Sequence, residues 1–311
     1  MFSICELEKS KYNDWNQVVE NAKNGLFLFE IDYFKYHEAR FEDSSLMIYK
    51  KSKAVALFPA NRVNDTIYSH QGLTFGGLIM LPELHAADVL EIFELINKHY
   101  KNKGIKKVVY KAIPHPFTKY PAQEDLYALF RNYAKLIRRD VSSVIDLFNR
   151  PKLSDSRKNT IVKAQKNNVE ICESSDLKKF HQILSEVLAK FGACPVHSIT
   201  ELEQLKNSFP HNIKLYAAMQ DEQWLAGVLV YDYGHIIHTQ YMANTQQGRQ
   251  IGALDYILFT LINDIYTEKK YLSFGISTEN AGQYLNTGLI AQKEGFGARA
   301  VVHDFYEMEL L

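Results

Sequence analysis

The chain has 311 residues, of which 46% are hydrophobic and 23% charged, an ordinary globular composition long enough for two domains at about 100–200 residues each. Its 36 basic and 36 acidic residues leave a net charge of +0, so no global field draws it to DNA or to an anionic membrane. Cys5, Cys172 and Cys194 lie too far apart for a disulfide framework or a metal site, and with no signal peptide and no apolar run near the ~20 residues of a membrane span, a cytoplasmic protein is expected.

Phe2–Glu6 reads as a strand and Lys11–Ala22 as a helix. Leu46–Tyr49, Ala54–Pro59 and Thr66–His70 are rich in β-branched or aromatic residues and are broken by turn formers, which predicts three strands. Val89, Phe93, Ile96 and Tyr100 recur at helical spacing in Ala87–Tyr100, and Gly104 stops that helix. A strand at Val108–Lys111, a helix at Glu124–Tyr133 and a strand at Val141–Phe148 complete the first half. The second half repeats the order. Val169–Glu173 is a strand and Asp176–Lys190 a helix. Lys214–Met219, Ala226–Tyr231 and His235–Met242 are strands. Ala253–Tyr266 is a helix, Tyr271–Ile276 a strand, Asn286–Lys293 a helix and Ala300–Leu310 a strand.

Ile4-Cys5-Glu6 recurs as Ile171-Cys172-Glu173, an offset of 167 residues that also relates Tyr49 to Tyr216. Together with the shared element order, this points to an internal duplication on the scale of a domain. The expected domains are 1–150 and 169–311, joined by a basic connecting helix at 151–168. That linker carries Arg157, Lys158, Lys163 and Lys166, with Ser154 and Asp155 as N-cap types. The expected fold class is α/β, with two tandem domains of mixed β-sheet flanked by helices.

The informative segment is Gln246–Tyr256, QQGRQIGALDY, between a strand and a strongly apolar helix. A glycine-containing turn at a helix start presents backbone N–H groups and the positive end of the helix dipole, a setting for a pyrophosphate. Gly248 and Gly252 lack a Cβ, so phosphate is expected to approach them closely. The spacing is neither a P-loop nor GxGxxG. It resembles the pyrophosphate loop of GNAT acyltransferases, Gln/Arg-x-x-Gly-x-Gly/Ala. Gln247-Gly248-Arg249-Gln250-Ile251-Gly252 fits, with Gln250 standing where the first glycine belongs. The order after the loop is also similar to GNAT, down to Gly295-Phe296 closing a helix before the last strand. Lys214 to Leu311 resembles one GNAT core. The first half matches in element order only, and its counterpart segment, Gly76 to Pro82, has lost the pattern. A degenerate copy followed by a working one, joined by RKNTIVKAQKNNV, resembles the FemAB-like branch.

The resemblance implies acyl-CoA, with acetyl-CoA foremost, as donor. It implies Gln247, Gly248, Arg249, Gln250, Ile251, Gly252, Ala253 and Asn280 as its contacts, and a small amine as acceptor: an amino sugar, an amino acid or a cell-envelope precursor. Acyl transfer needs a base, oxyanion donors and an acid for the thiolate. The oxyanion donor maps to the backbone of His238–Met242. His238, Tyr241 and Glu279 are candidate bases, and Tyr284 is a candidate acid. Ala291 stands where GNAT enzymes carry a tyrosine acid. Two alternatives stay open: an aminoacyltransferase drawing on aminoacyl-tRNA, motivated by the basic linker, and a non-catalytic ligand-binding protein.

Overall fold

The computed structural model describes residues 1–310. Its contacts divide it into two compact units. The first is Met1–Asp140 with Asn280–Gly282 and the chain from Val302 onward; the second is Val141–Glu279 with Gln283–Val301. Residues 141–146 and the end of the chain are thus exchanged between the halves in sequence.

The first unit opens with β1 (Phe2–Glu6), α1 (Tyr12–Asn21) and α2 (Ile31–Phe34). Its further strands are β2 (Glu42–Asp43), β3 (Leu46–Lys50), β4 (Lys53–Phe58), β5 (Asn61–Val63), β6 (Thr66–Tyr68), β7 (Ile79–Met80) and β8 (Lys107–Lys111). Helices α3 (Ala86–Asn102) and α4 (Glu124–Arg131) flank them, and β9 (Lys135–Asp146) starts six residues before the expected strand. Tyr133 adopts a φ of 55° and so leaves the helix expected to include it. One sheet is ordered β1-β3-β4-β7. Trp15 is fully buried beneath it and donates Nε1 to the Phe29 carbonyl at 2.7 Å.

The second unit contains α5 (Asp155–Lys166), β10 (Glu170–Ser174), α6 (Leu177–Ala189), α7 (Ile199–Ser208), β11 (Ile213–Gln220), β12 (Gln223–Asp232) and β13 (Ile236–Asn244). It continues through α8 (Gln246–Ile251), α9 (Ala253–Thr260), β14 (Tyr271–Ile276), β15 (Thr278–Glu279), β16 (Tyr284–Leu285) and α10 (Thr287–Glu294). The last strand, β17 (Arg299–Glu309), pairs antiparallel with β8, from Phe305↔Lys111 to Glu309↔Lys107, and completes the first unit's second sheet. The second unit's sheet is ordered β10-β11-β12-β13-β14-β9, antiparallel except at β13–β14.

The reason α9 forms and stays put is its composition. Leu254, Ile257 and Leu258 share one buried core with Val228, Val230 and Ile237 of the sheet and with Ile161 and Ala164 of α5. Each such side chain contributes about 1.5–3 kcal/mol by leaving water. Helix α5 is started by Ser154, whose Oγ accepts from the Arg157 N–H at 3.3 Å.

The duplication is visible in topology and blurred in register. Cys5 pairs with Met47, whereas Cys172 pairs with Ala217. A uniform offset of 167 would have paired Cys172 with Lys214. The matched pairing is thus shifted by three residues between the halves, and the first half divides into two sheets what the second holds in one. Helix α7, absent from the expected element order, is opened by a full capping box of Ser198 with Glu201.

Candidate active site

The two central strands of the second unit run parallel for three pairs, Ile236↔Tyr271, Ile237↔Leu272 and His238↔Ser273, and then part. On the β13 side of the gap the ladder to β12 slips: Leu229 pairs with Tyr241 and Val230 with Thr239. Gln240 is the extra residue of a β-bulge, a device that re-aims backbone groups beside sites. On the β14 side, Gly275 takes a φ of 72°, and its N–H donates to Ser273 Oγ at 3.3 Å. Lys293 of α10 reaches back to this bend and donates Nζ to the Gly275 and Ile276 carbonyls at 2.9 and 2.7 Å. Burial lowers the Lys293 amine to about 8.

His238 sits where the strands separate. It is buried, with Nδ1 3.2 Å from Ser273 Oγ. A Cβ at Gly275 would lie 3.3 Å from its ring, so the glycine leaves the imidazole room. Tyr241 is half-buried beyond the bulge, with its hydroxyl 2.7 Å from Nδ1 of the buried His197. Burial raises its phenol above the ordinary value.

The segment expected as a glycine turn is a short helix instead. Thr245 caps α8 by accepting from the Gly248 N–H at 3.0 Å. Gly252, at φ 84°, breaks the helix, and α9 starts on its far side. The space beside each glycine is filled by protein. A Cβ on Gly248 would fall 2.2 Å from the Leu225 carbonyl oxygen, and one on Gly252 would fall 2.5 Å from that of Thr160. The missing side chains let α8 settle on β12 and let α5 settle on the start of α9.

A cavity of about 540 Å³ opens between α5, the α8–α9 break and α10. Ser154, Ser156, Arg157 and Thr160 line it from α5 and its cap, Asn244, Arg249, Gly252 and Asp255 from the β13–α9 side, and Gly288, Ala291 and Gln292 from α10. Arg157 donates to Asp255 Oδ2 at 2.6 Å, and the carboxylate is nearly inaccessible. Burial raises the Asp255 acid and Arg157 opposes the shift. Among the described residues the Arg249 side chain has no hydrogen bond or ion pair, so its guanidinium is available to an anion.

Of the residues singled out in the sequence, Arg249 and Gly252 line this cavity, and His238 and Tyr241 lie along the parting strand. Gln247 is exposed and donates to Gln220 at 3.3 Å. Gln250 is exposed, Ile251 packs on the core and Ala253 is fully buried. Glu279 and Tyr284 face each other across the β15–β16 pair, both exposed, and Glu279 accepts from Asn286 at 3.0 Å. Asn280, at φ 49°, belongs to the tip between those strands. Neither Glu279 nor Tyr284 lines the cavity. Asp255, Lys293, Gln240 and His197 were not singled out. A buried acid one turn into an apolar helix was the available signal for Asp255.

No family model and no curated protein matches the sequence. Solved structures do. One of FemX superposes with a TM-score of 0.71 at 10% identity, covering 97% of this chain and 96% of that one. L-PGS from Bacillus licheniformis gives 0.63 at 12% identity, over 94% and 90%. A tandem GNAT protein from the clavulanic acid biosynthesis pathway, solved without AcCoA, gives 0.53 at 9% identity, over 100% and 99%. The parting parallel strands, the loop-to-helix break and the doubled plan define a tandem GNAT fold.

Proposed function

We propose that this chain is an N-acyltransferase whose second unit holds an acyl-CoA and passes the acyl group to a small amine. The observation that carries the proposal is the parting of β13 and β14 beside a cavity that presents an unpaired Arg249. The diphosphate would lie against Arg249, the Ser154, Ser156 and Thr160 hydroxyls and Arg157. The thioester arm would run toward the strand gap. There a backbone N–H freed by the Gln240 bulge polarises the carbonyl. The acceptor nitrogen attacks that carbon, the C–N bond forms, the C–S bond breaks and the thiolate takes up a proton. His238, in the last paired position before the strands part, takes the ammonium proton in this reading. Acceptors in this class include an amino sugar, an amino acid or a cell-envelope precursor.

A second reading, transfer from aminoacyl-tRNA, is favoured by the charge of the cavity. Arg157 and Arg249 against Asp255 leave one positive charge, which suits a single phosphodiester better than a diphosphate.

The test is thermal melting with acetyl-CoA, longer acyl-CoAs, adenosine and a charged tRNA, in the wild type and in Arg249→Glu. Specific binding raises the melting temperature by mass action. The acyl-CoA reading expects a shift with acyl-CoA, none with adenosine, and loss of the shift in Arg249→Glu at unchanged intrinsic stability. A shift with charged tRNA alone, weakening steeply with salt, moves the assignment to the second reading.

A further inference from the structure

Part of the basic linker takes no share in the cavity that Arg249 lines. Arg150, Pro151, Lys152, Leu153 and Lys158 line a second cavity of about 330 Å³ with Phe259, Ile262, Asn263 and Phe296. Its walls are fixed by backbone. Gly297, at φ 93°, lets the Pro151 carbonyl approach to where a Cβ would be 2.5 Å away, and the Ser154 N–H donates to the Gly295 carbonyl at 2.9 Å. The basic segment is therefore held in place over the end of α9.

The lining has two chemistries. Leu153, Phe259, Ile262 and Phe296 make an apolar floor. Ile262 and Phe296 are buried, and Phe259 packs partly on the core. Around it stand Arg150, Lys152 and Lys158, and no carboxylate lines the cavity. Lys158 is held by Asp155 at 2.8 Å in an exposed pair, which screening makes weak. Arg150 is oriented by Asn263 Oδ1 at 2.5 Å, and among the described residues Lys152 has no partner. Asn263 is the one polar uncharged side chain present. Both ends of its amide are used, one by Arg150 and the other by the Phe259 carbonyl at 2.7 Å. The floor is therefore mainly hydrocarbon, its single amide already partnered at each end. It accepts hydrocarbon, while the rim accepts a negative charge.

We propose that this cavity is a binding site for a long-chain carboxylate, with the chain on Phe259, Ile262 and Phe296 and the head group between Arg150, Lys152 and Lys158. The site is separate from the one that carries the proposed transfer and does not depend on that reading. Charge fixes the head group: three cations with no lining acid select an anion over a cation of the same shape. The apolar floor fixes the tail, because affinity from burial grows with each methylene.

The experiment is calorimetric titration of the full chain with octanoate and decanoate below their micelle concentrations. Decyltrimethylammonium and acetate serve as the same tail with the opposite charge and the same head without a tail. Decanoate is expected to bind roughly tenfold tighter than octanoate, and the two controls to show no saturable heat. The double variant Arg150→Glu, Lys152→Glu changes exposed side chains and is expected to fold normally, as circular dichroism will check. It should weaken decanoate at least tenfold while leaving the acetyl-CoA melting shift, if wild type shows one, unchanged. Equal binding of the cationic and anionic amphiphiles, chain-length independence, or undiminished binding in the double variant would each overturn the proposal.

Discussion

The two units carry the same parting of parallel strands and treat it in opposite ways. In the first, β6 and β8 pair at Thr66↔Lys107, Ile67↔Val108 and Tyr68↔Val109, the counterpart of the three pairs in the second. The chain then leaves β6 as a loop stitched into the gap. Lys111 donates its N–H to Ser69 Oγ at 2.7 Å and its Nζ to the Leu73 carbonyl at 2.5 Å, and its carbonyl accepts from Gly76. The Leu78 N–H donates to the Tyr110 hydroxyl, and Phe75 packs against Phe117. In the second unit the chain instead climbs away as α8 and α9 and leaves a cavity. The same strand parting is thus closed by the chain's own backbone in the first unit and left beside a cavity in the second.

This contrast can be broken by substitution. The largest effect is expected where a glycine makes the close approach. Gly252→Val forces a branched side chain to φ 84° against Thr160 and should cost roughly 3 kcal/mol in denaturant melts. Since Gly252 holds α5 against α9, its variants report folding, whereas Arg249→Glu reports ligand binding. A Gly252 variant of wild-type stability would show that the packing is looser than described.

Acid should loosen the closed unit first. Burial lowers His70 to about 3 and His303 to about 4, nearby positive charge adding to the shift at His70 and Asp140 and Asp304 opposing it at His303. Both bind fewer protons folded than unfolded between those values and the ordinary imidazole value of 6.5. Their contribution is complete above 6.5 and is lost as pH falls below it, by about 2 kcal/mol each at about pH 5. Hydrogen exchange at neutral pH and at about pH 5 should show the first unit losing protection ahead of the second. Uniform loss across both would count against the assignment.

Alkali sharpens the open unit. Lys293, lowered to about 8 by burial, binds fewer protons folded than unfolded between about 8 and 10.5. The wild type should therefore gain about 2 kcal/mol on Lys293→Met between about pH 7 and about pH 10. A constant gap would mean that the amine titrates normally. Smaller still, Ser273→Ala removes the 3.2 Å contact to His238 and should cost about 1 kcal/mol, visible as a small fall in melting temperature.

The alternation of elements, and with it the doubled α/β plan, was legible because strand and helix periodicities are local. The exchange of β9 and β17 was not, since strand pairing across more than a hundred residues leaves no local mark. The loop pattern marked a strand-to-helix junction whose form is a short helix broken at Gly252 and not the expected turn. Glycine reads the same whether it admits a phosphate or a neighbouring carbonyl, and only packing shows that Gly248 meets Leu225 and Gly252 meets Thr160. Nothing local marked Lys293, at the end of the expected helix Asn286–Lys293, because its partners, the Gly275 and Ile276 carbonyls, belong to a strand distant in sequence. Asn286 obeyed local rules and does cap α10, accepting from the Leu289 N–H at 3.0 Å.

If the proposed transfer runs in the second unit, a donor should protect that unit's cleft and leave the first unit's closed segments unchanged. Hydrogen exchange resolved by peptide, with and without saturating acetyl-CoA, tests this most directly. Added protection is expected at 244–255 and 287–292 and none at 69–78 or 107–111. Protection confined to the first unit's segments, or none in the presence of demonstrated turnover, would contradict it.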